Sequence, residues 1–264
     1  MTESTYRGLA EFGLPLITRG DPAFTSLTRE IDENVKALPV SSAAPLVSDR
    51  AAVLLNNTGR AIVAIEFIWR YTTLDGNTRT SRFSNFGSSV QREVLTGRCK
   101  VGRDLGPFIL PGSKRLITER GIFGNNLDVL TPEELPRGRG FYGGFGGGGP
   151  ENSELDISAV ELVLELVILE DGLCVGPDES GLYESLKASL DVQRRAAEEA
   201  LTALQAGASI GKIFEIIRPL ARHQPLEMFG SEAVHHLINS RPEELLTFFN
   251  EAAQPPSLQL HRPS

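Results

Sequence analysis

The clearest hydrophobic pattern in the chain runs from Val63 to Tyr71. Its odd positions are all apolar, whereas its even positions include Glu66 and Arg70 and the next residue is Thr72. A period of two residues predicts a β-strand with one buried face. Asp75-Gly76 then gives a hairpin signal, so the weakly alternating stretch from Thr78 to Phe86 is predicted to return antiparallel.

A second alternating stretch runs from Val160 to Ile168. Its even positions are apolar, and Glu161 and Glu165 occupy the other face. Between the two stretches, FILPGSKRLITERGIF suggests a second strand pairing, in which Pro111-Gly112 marks the turn and an extended pattern resumes from Leu116 to Phe123. Turn signals separate these runs without βαβ spacing, which predicts an antiparallel β-sandwich. Trp69, central on the first strand, is expected in its core.

The pattern changes to a helical period after Gly176-Pro177. Asp178 is placed to cap a helix that runs to about Ala206 and stops at Gly207. The apolar stripe of this helix consists of Leu182, Leu186, Leu190, Ala197, Leu201 and Leu204. A second helix is predicted from Ser209 to about Arg218.

Two short helices are predicted further on, one after Ser231 and one after Ser240. Ser240 and Glu243 have the spacing of a capping box, and Pro242 suits a first helical turn. The last residues, PPSLQLHRPS, are expected to fray.

These patterns predict a β-rich α+β chain in four parts. Residues 1–42 form a partly irregular segment with a short strand at Leu14–Thr18 and a helical stretch at Ser26–Lys36. Residues 43–176 form the sandwich, 177–254 the helical segment and 255–264 a disordered tail.

Composition narrows the function classes. The chain has 264 residues, of which 41% are hydrophobic, and its 34 acidic and 26 basic residues give a net charge of −8. This balance argues against a nucleic-acid partner or an anionic membrane surface. The N-terminus lacks a signal-peptide pattern and no run reaches about 18 apolar residues, so a soluble, cytoplasmic protein is expected. A start site assigned too far downstream would hide an export signal.

The two cysteines, Cys99 and Cys174, are 75 positions apart without CxxC spacing. This spacing excludes a zinc knuckle or a dithiol redox motif and leaves one disulfide open.

Four features between Asn57 and Gly112 resemble bacterial immunoglobulin-like domains of the FxLYD type. They are Asn57-Thr58-Gly59, the Val63–Tyr71 alternation, Asp75-Gly76 and Leu110-Pro111-Gly112. The resemblance covers roughly residues 46 to 120, or to 176 if the Val160–Ile168 strand closes the second sheet. The joint VILEDGLCVGPDESGLYESL is also similar to uncharacterised soil-bacterial proteins with a sandwich and helices. The resemblance implies a fold and transfers no activity.

The strongest compositional anomaly is RGRGFYGGFGGGGP, at residues 137–150. Eight of the 26 glycines lie within the twelve residues 138–149. A phosphate cradle would need a helix directly after the glycines, and here a strand follows, which favours an inter-strand loop. The alternative is a ligand site in which Arg137, Arg139, Phe141, Tyr142 and Phe145 stack on a base or a sugar ring.

Other candidate chemistry is sparse. The acidic pairs Glu133-Glu134, Glu170-Asp171 and Asp178-Glu179 read as a helix start, a turn and a cap. Adjacent His235 and His236 point about 100° apart on a helix and lack an HExxH pattern, so no metal or cofactor is expected.

The sequence therefore predicts a non-enzymatic protein-interaction or scaffold module. Its partner, or a second copy, would bind the helical stripe from Leu182 to Leu204 if that stripe is exposed. One alternative is a carbohydrate or small-ligand binder that uses the aromatic glycine-rich loop. The other is a hydrolase whose carboxylates are brought together by the fold.

Overall fold

The computed structural model describes residues 3–36, 50–84, 95, 108–119, 121–123, 145–146, 157–220 and 227–263. The chain divides into two compact units, one of residues 1–86, 101–179 and 260–264 and the other of residues 87–100 and 180–259. Strands and helices are both abundant in the described residues, which confirms the predicted mixed α+β class.

The described residues form eleven strands. In chain order they are β1 (Glu3–Arg7), β2 (Leu16–Thr18), β3 (Ala51–Leu55), β4 (Ile62–Thr73), β5 (Thr78–Ser84), β6 (Lys114–Thr118), β7 (Gly121–Phe123), β8 (Phe145–Gly146), β9 (Ile157–Leu169), β10 (Leu173–Val175) and β11 (Gln259–His261).

The first sheet has the order β11-β10-β9-β4-β5, and β1 also pairs with β9. The predicted antiparallel return of β5 along β4 is confirmed. The all-antiparallel prediction is wrong at β1, which runs parallel to β9 from the pair Glu3–Ala159 to the pair Arg7–Val163. The residues ESTYR carry no alternation of their own, so nothing local to them reveals this pairing.

The second sheet has the order β2-β3-β6-β7-β8. The Pro111-Gly112 turn does not join two strands of one hairpin as expected. Ile109 before it bridges to Ile62 in β4 of the first sheet, whereas β6 after it pairs with β3 in the second sheet. The turn thus carries the chain between sheets, and β6 and β7 form the hairpin that was predicted as one extended run.

Residues from both sheets share one hydrophobic core. Ile65, Phe67, Trp69 and Tyr71 of β4 lie in it with Ala52 and Leu54 of β3 and Ile117 of β6. Trp69 is 1% exposed, which confirms its predicted place in the core. Its indole Nε1 donates a hydrogen bond of 3.1 Å to the carbonyl oxygen of Thr118, so β4 and β6 are also joined by a polar contact.

β-Bulges change which residues face that core. In β9 the core receives Val160, Leu162 and Leu164, and then Val167 and Leu169. The prediction that all even positions to Ile168 share one face is therefore wrong after Leu164. The β4–β9 register shifts between Glu66 and Phe67 of β4, where Glu165 of β9 is the extra residue. One extra residue moves every later side chain to the opposite face.

The same effect occurs at the start of β4. Ile62 lies in the shared core whereas Val63 does not, because the register shifts between Ile62 and Ala64. The expectation of one buried face is also wrong for these central strands. Glu66 and Glu165, assigned to the polar face, are 1% and 0% exposed.

Residues 1–42 contain more regular structure than expected. Helix α1 (Phe24–Lys36) places Phe24 and Ile31 against Ala51, Val53 and Leu116 of the second sheet. It begins two residues before the predicted Ser26 because the carboxylate of Asp21 accepts a hydrogen bond from the backbone N–H of Ala23.

The second unit contains four further described helices: α2 (Leu182–Gln205), α3 (Ile210–Ile217), α4 (Glu227–Asn239) and α5 (Pro242–Ala252). Ala197 and Ala200 of α2 pack with Ile213 of α3, Leu237 of α4 and Phe249 of α5. Gly207 has a φ of 74°, and its backbone N–H donates to the carbonyl oxygen of Leu204, as expected for a residue that ends a helix.

Two predicted caps are displaced. Asp178 does not cap α2, which begins at Leu182 after Gly181; the Asp178 backbone N–H instead donates to the carbonyl oxygen of Glu165. Before α5, the residue at the cap is Arg241, whose backbone N–H donates to Glu244 at 2.9 Å. The Ser240 hydroxyl lies 2.9 Å from Nδ1 of His236.

A short strand lies within the last residues, PPSLQLHRPS, which were expected to fray. Strand β11 adds to β10, and the backbone N–H of Gly176 donates to the carbonyl of His261 at 3.2 Å. The short sequence QLH gave too little pattern to predict this pairing.

Candidate functional site

Most of the predicted ligand loop lies outside the described residues. This holds for Arg137, Arg139, Phe141 and Tyr142. The backbone of Phe145 belongs to β8 and pairs with Ile122 of β7, so this part of the loop is strand. Cys99 and the pair Glu133-Glu134 also lie outside the described residues.

The histidines at the end of α4 make packing contacts. The rings of His235 and His236 meet edge to face with centroids 6.1 Å apart, and His236 stacks on Phe248 at 4.4 Å. Across the described ranges, no group of three or more His, Cys, Asp or Glu residues is arranged to hold a metal ion.

Two glutamates and two arginines form a closed ring on the first sheet. Arg7 contacts Glu161 at 2.7 Å and Glu179 at 3.1 Å. Arg70 contacts the other oxygens of the same carboxylates, at 2.9 Å for Glu161 and 2.7 Å for Glu179. The ring therefore connects β1, β4 and β9 with the segment that follows β10.

Hydrogen bonds within this ring shift the pKa values of Glu179 and Arg70. Hydrogen bonds from Arg70 and, less strongly, from Arg7 lower the pKa of Glu179 against the opposing effect of burial. Burial alone would lower the pKa of Arg70, but hydrogen bonds to Glu179 and Glu161 raise it overall. A glycosidase needs one carboxyl with a raised pKa to act as general acid. The pKa of Glu179 is shifted in the opposite direction, and the ion pairs of the ring join β1, β4 and β9.

A second polar cluster lies beside the shared core. Arg50 and Glu119 form an ion pair of 2.9 Å. Burial and the nearby charge of Glu119 raise the pKa of Tyr71, and burial raises the pKa of Tyr6. Both shifts favour the neutral phenol over the phenolate.

The predicted helical interaction stripe is partly used inside its own unit. Ala197 is fully buried there, and Leu201 and Leu204 pack against the same helical core. Among the described residues of this unit, the exposed large apolar side chains are those of Ile210, Ile238 and Leu246. None of these three belongs to the stripe, so its C-terminal half is not an open surface.

Strand β5 is an exposed, positively charged strand at the end of the first sheet. Its neighbour among the described residues is β4. Five of its seven residues are exposed, Ser81 is intermediate and Phe83 is buried in the shared core. Its sequence, TRTSRFS, contains Arg79 and Arg82 and no acidic residue.

The β4–β5 hairpin determines which backbone groups of β5 point outward. The N–H of Thr73 donates to the carbonyl of Asn77, so this pair is hydrogen bonded. Hydrogen-bonded and non-hydrogen-bonded pairs alternate along an antiparallel ladder, and the register from Thr72–Thr78 to Glu66–Ser84 has no shift. The outward-directed residues are therefore Thr78, Thr80, Arg82 and Ser84. All four are exposed, and no other strand of the described residues pairs with β5 on that side.

Two properties of this site, its strand structure and its positive charge, can be predicted from the sequence. The return of Thr78–Phe86 as a strand was predictable, and two arginines without an acidic residue mark it as cationic within an acidic chain. Its place at an edge depends on the sheet order, in which β9 occupies the other side of β4. That order is a long-range property that local pattern does not contain.

Comparison with protein-family models, curated proteins and solved structures finds no match. Within the described residues, the helices are all too short or too polar to cross a membrane.

Proposed function

We propose that this protein is a non-enzymatic module that binds an extended polypeptide segment along β5. The observation that carries the proposal is the exposure of all four residues whose backbone groups point away from β4, namely Thr78, Thr80, Arg82 and Ser84. An unpaired row of N–H and C=O groups is a template for an additional strand. Strand addition would satisfy these groups by the same ladder geometry that joins β4 and β5.

The chemistry elsewhere supports a binding role. Glu161 and Glu179 are engaged with Arg7 and Arg70 in the ring, and Tyr6 and Tyr71 are held neutral. The ring joins β1 and β9 to β4, the strand that pairs with β5. These groups do not form the pair of separated acid and base that a hydrolase requires.

We further infer that the two sheets form an immunoglobulin-like sandwich. The common core and the Trp69–Thr118 hydrogen bond support this, and an exposed edge strand of a sheet can act as a template for a further strand. The parallel β1 is a departure from the purely antiparallel pattern.

Thr80→Pro tests the role of the edge. Proline removes the outward N–H at position 80 and is tolerated on edge strands, so the β4–β5 ladder should persist. Thr80→Val keeps that N–H and is the matched control. Peptides selected from a random ten-residue display library on the unmodified protein should bind Thr80→Val and lose binding to Thr80→Pro.

Folding is checked by circular dichroism and by the thermal midpoint of each variant. If Thr80→Pro does not fold, Ser84→Pro removes another outward N–H near the end of β5. Failure to enrich any peptide, or equal binding to a folded proline variant, would contradict the proposed function.

A further inference from the structure

We propose that the segment accepted by β5 carries two acidic residues three positions apart. This inference rests on the proposed function and names the chemistry of its partner. It follows from the positions of the two arginines of β5 relative to the faces of the first sheet.

Arg79 and Arg82 lie on opposite faces of β5. Arg79 is paired with Tyr71, whose ring belongs to the shared core, and Arg82 is paired with Ile68, which lies outside that core. The side chain of Arg82 is 52% exposed although its Nε lies 3.5 Å from the Glu66 carboxylate. A guanidinium has five donors, so its terminal nitrogens are available for a second carboxylate.

An added strand would repeat this geometry. The residues opposite Arg79 and Arg82 are three positions apart, and an odd separation places them on opposite faces, as the two arginines are. Opposite charges directly across a ladder stabilise it. Carboxylates two positions apart would share one face, so only one of them would meet an arginine across the ladder.

A second copy of this chain is a poorer occupant of the edge. Pairing β5 with another β5 would bring four arginines into one ribbon, because each strand contributes Arg79 and Arg82 and no acidic residue. Like charges in a ladder are destabilising. The charge of β5 therefore favours an acidic segment from a different polypeptide.

The test uses three ten-residue peptides of threonine and valine that differ at two positions. One carries Glu at positions 4 and 7, one carries Glu at positions 4 and 6, and one carries Gln at positions 4 and 7. Dissociation constants are measured by fluorescence anisotropy with the full chain. The first peptide should bind about 2- to 30-fold more tightly than either of the others, as expected for one or two additional charge pairs.

Charge exchange gives the matched control. In the double variant Arg79→Glu/Arg82→Glu, a peptide with Lys at positions 4 and 7 should replace the peptide with Glu at positions 4 and 7 as the tightest binder. Suppose that Thr80→Pro abolishes peptide binding but that the peptides with Glu at positions 4 and 7 and at positions 4 and 6 bind equally well. That result would overturn this inference and leave the proposed function standing. If no peptide loses binding in the Thr80→Pro variant, both this inference and the proposed function would be overturned.

Self-association is a separate outcome. Sedimentation velocity of the unmodified chain should show no dimer that Thr80→Pro dissociates. A dimer of that kind would show that a second copy occupies the edge and would overturn the assignment to an acidic segment.

Discussion

Gly176 lies against the backbone carbonyl of Glu165, and a Cβ atom at position 176 would stand 2.3 Å from that oxygen. The φ of Gly176 is 148°, which side chains rarely adopt. The close approach holds the chain after β10 against the bulge in β9, and the N–H of Asp178 donates to the same carbonyl.

Gly176→Ala should therefore lower the free energy of unfolding by about 3–5 kcal/mol, since backbone strain and a steric clash add together. Gly59→Ala is the control, because Gly59 has a φ of 73° and no neighbouring atom within 4 Å of the added Cβ. It should cost only about 1–2 kcal/mol. Urea unfolding of both variants makes the comparison, and equal losses would contradict the proposed contact.

Asn56 organises the turn between β3 and β4. Its side-chain amide donates to the carbonyls of Arg60 and Ile109, each at 2.8 Å, and its Oδ1 accepts from the hydroxyl of Thr58 at 2.7 Å. The residue is fully buried. It thus joins the turn to the segment that precedes Pro111.

Asn56→Asp should lower the free energy of unfolding at pH 7 by about 3 kcal/mol or more, because it replaces two donated hydrogen bonds with a buried charge facing carbonyl oxygens. The loss should shrink near pH 4, where the new carboxyl is protonated. The exposed neighbour gives the control, and Asn57→Asp should change stability by less than about 0.5 kcal/mol. A pH-independent loss in Asn56→Asp would contradict this account.

Glu179 should make stability depend on pH. Its pKa is lowered in the folded protein, chiefly by the hydrogen bond from Arg70. Its contribution is therefore present above the unfolded-state pKa of about 4.3 and is lost as the pH falls through the lower folded-state value. The size is modest, about 0.2–1 kcal/mol for each exposed pair.

Glu179→Gln should thus destabilise the protein at pH 7 and have little effect below about pH 3, in urea titrations at low salt. Glu33→Gln, on the exposed face of α1, is the control and should have little effect at either pH. A loss in Glu179→Gln that stays constant from pH 7 to pH 3 would show that the charge on Glu179 is not what stabilises the ring.

The sequence predicted the parts of the fold that depend on local pattern. The run of Ile65, Phe67, Trp69 and Tyr71 indicated β4 and its core face correctly, since alternation is a property of neighbouring residues. The extra residue Glu165 could not be predicted, because a bulge exists only relative to the partner strand. The parallel pairing of β1 could not be predicted either, because its register is set by β9, which is distant in sequence.

The candidate site shows the same limit. The strand character and the positive charge of Arg79 and Arg82 can be read from the sequence. Their presence on an open edge depends on β9 pairing with the other side of β4. The cap predicted at Asp178 failed for a related reason, because its N–H bonds to Glu165, a residue distant in sequence.

Amide hydrogen exchange along β5, followed by NMR, tests the open edge most directly. We expect the amides of Thr80, Arg82 and Ser84 to exchange rapidly, whereas those of Arg79, Ser81 and Phe83 should be protected by hydrogen bonds to β4. Protection of both sets, or protection of the first set alone, would show that the edge is already covered or that the ladder has the opposite register.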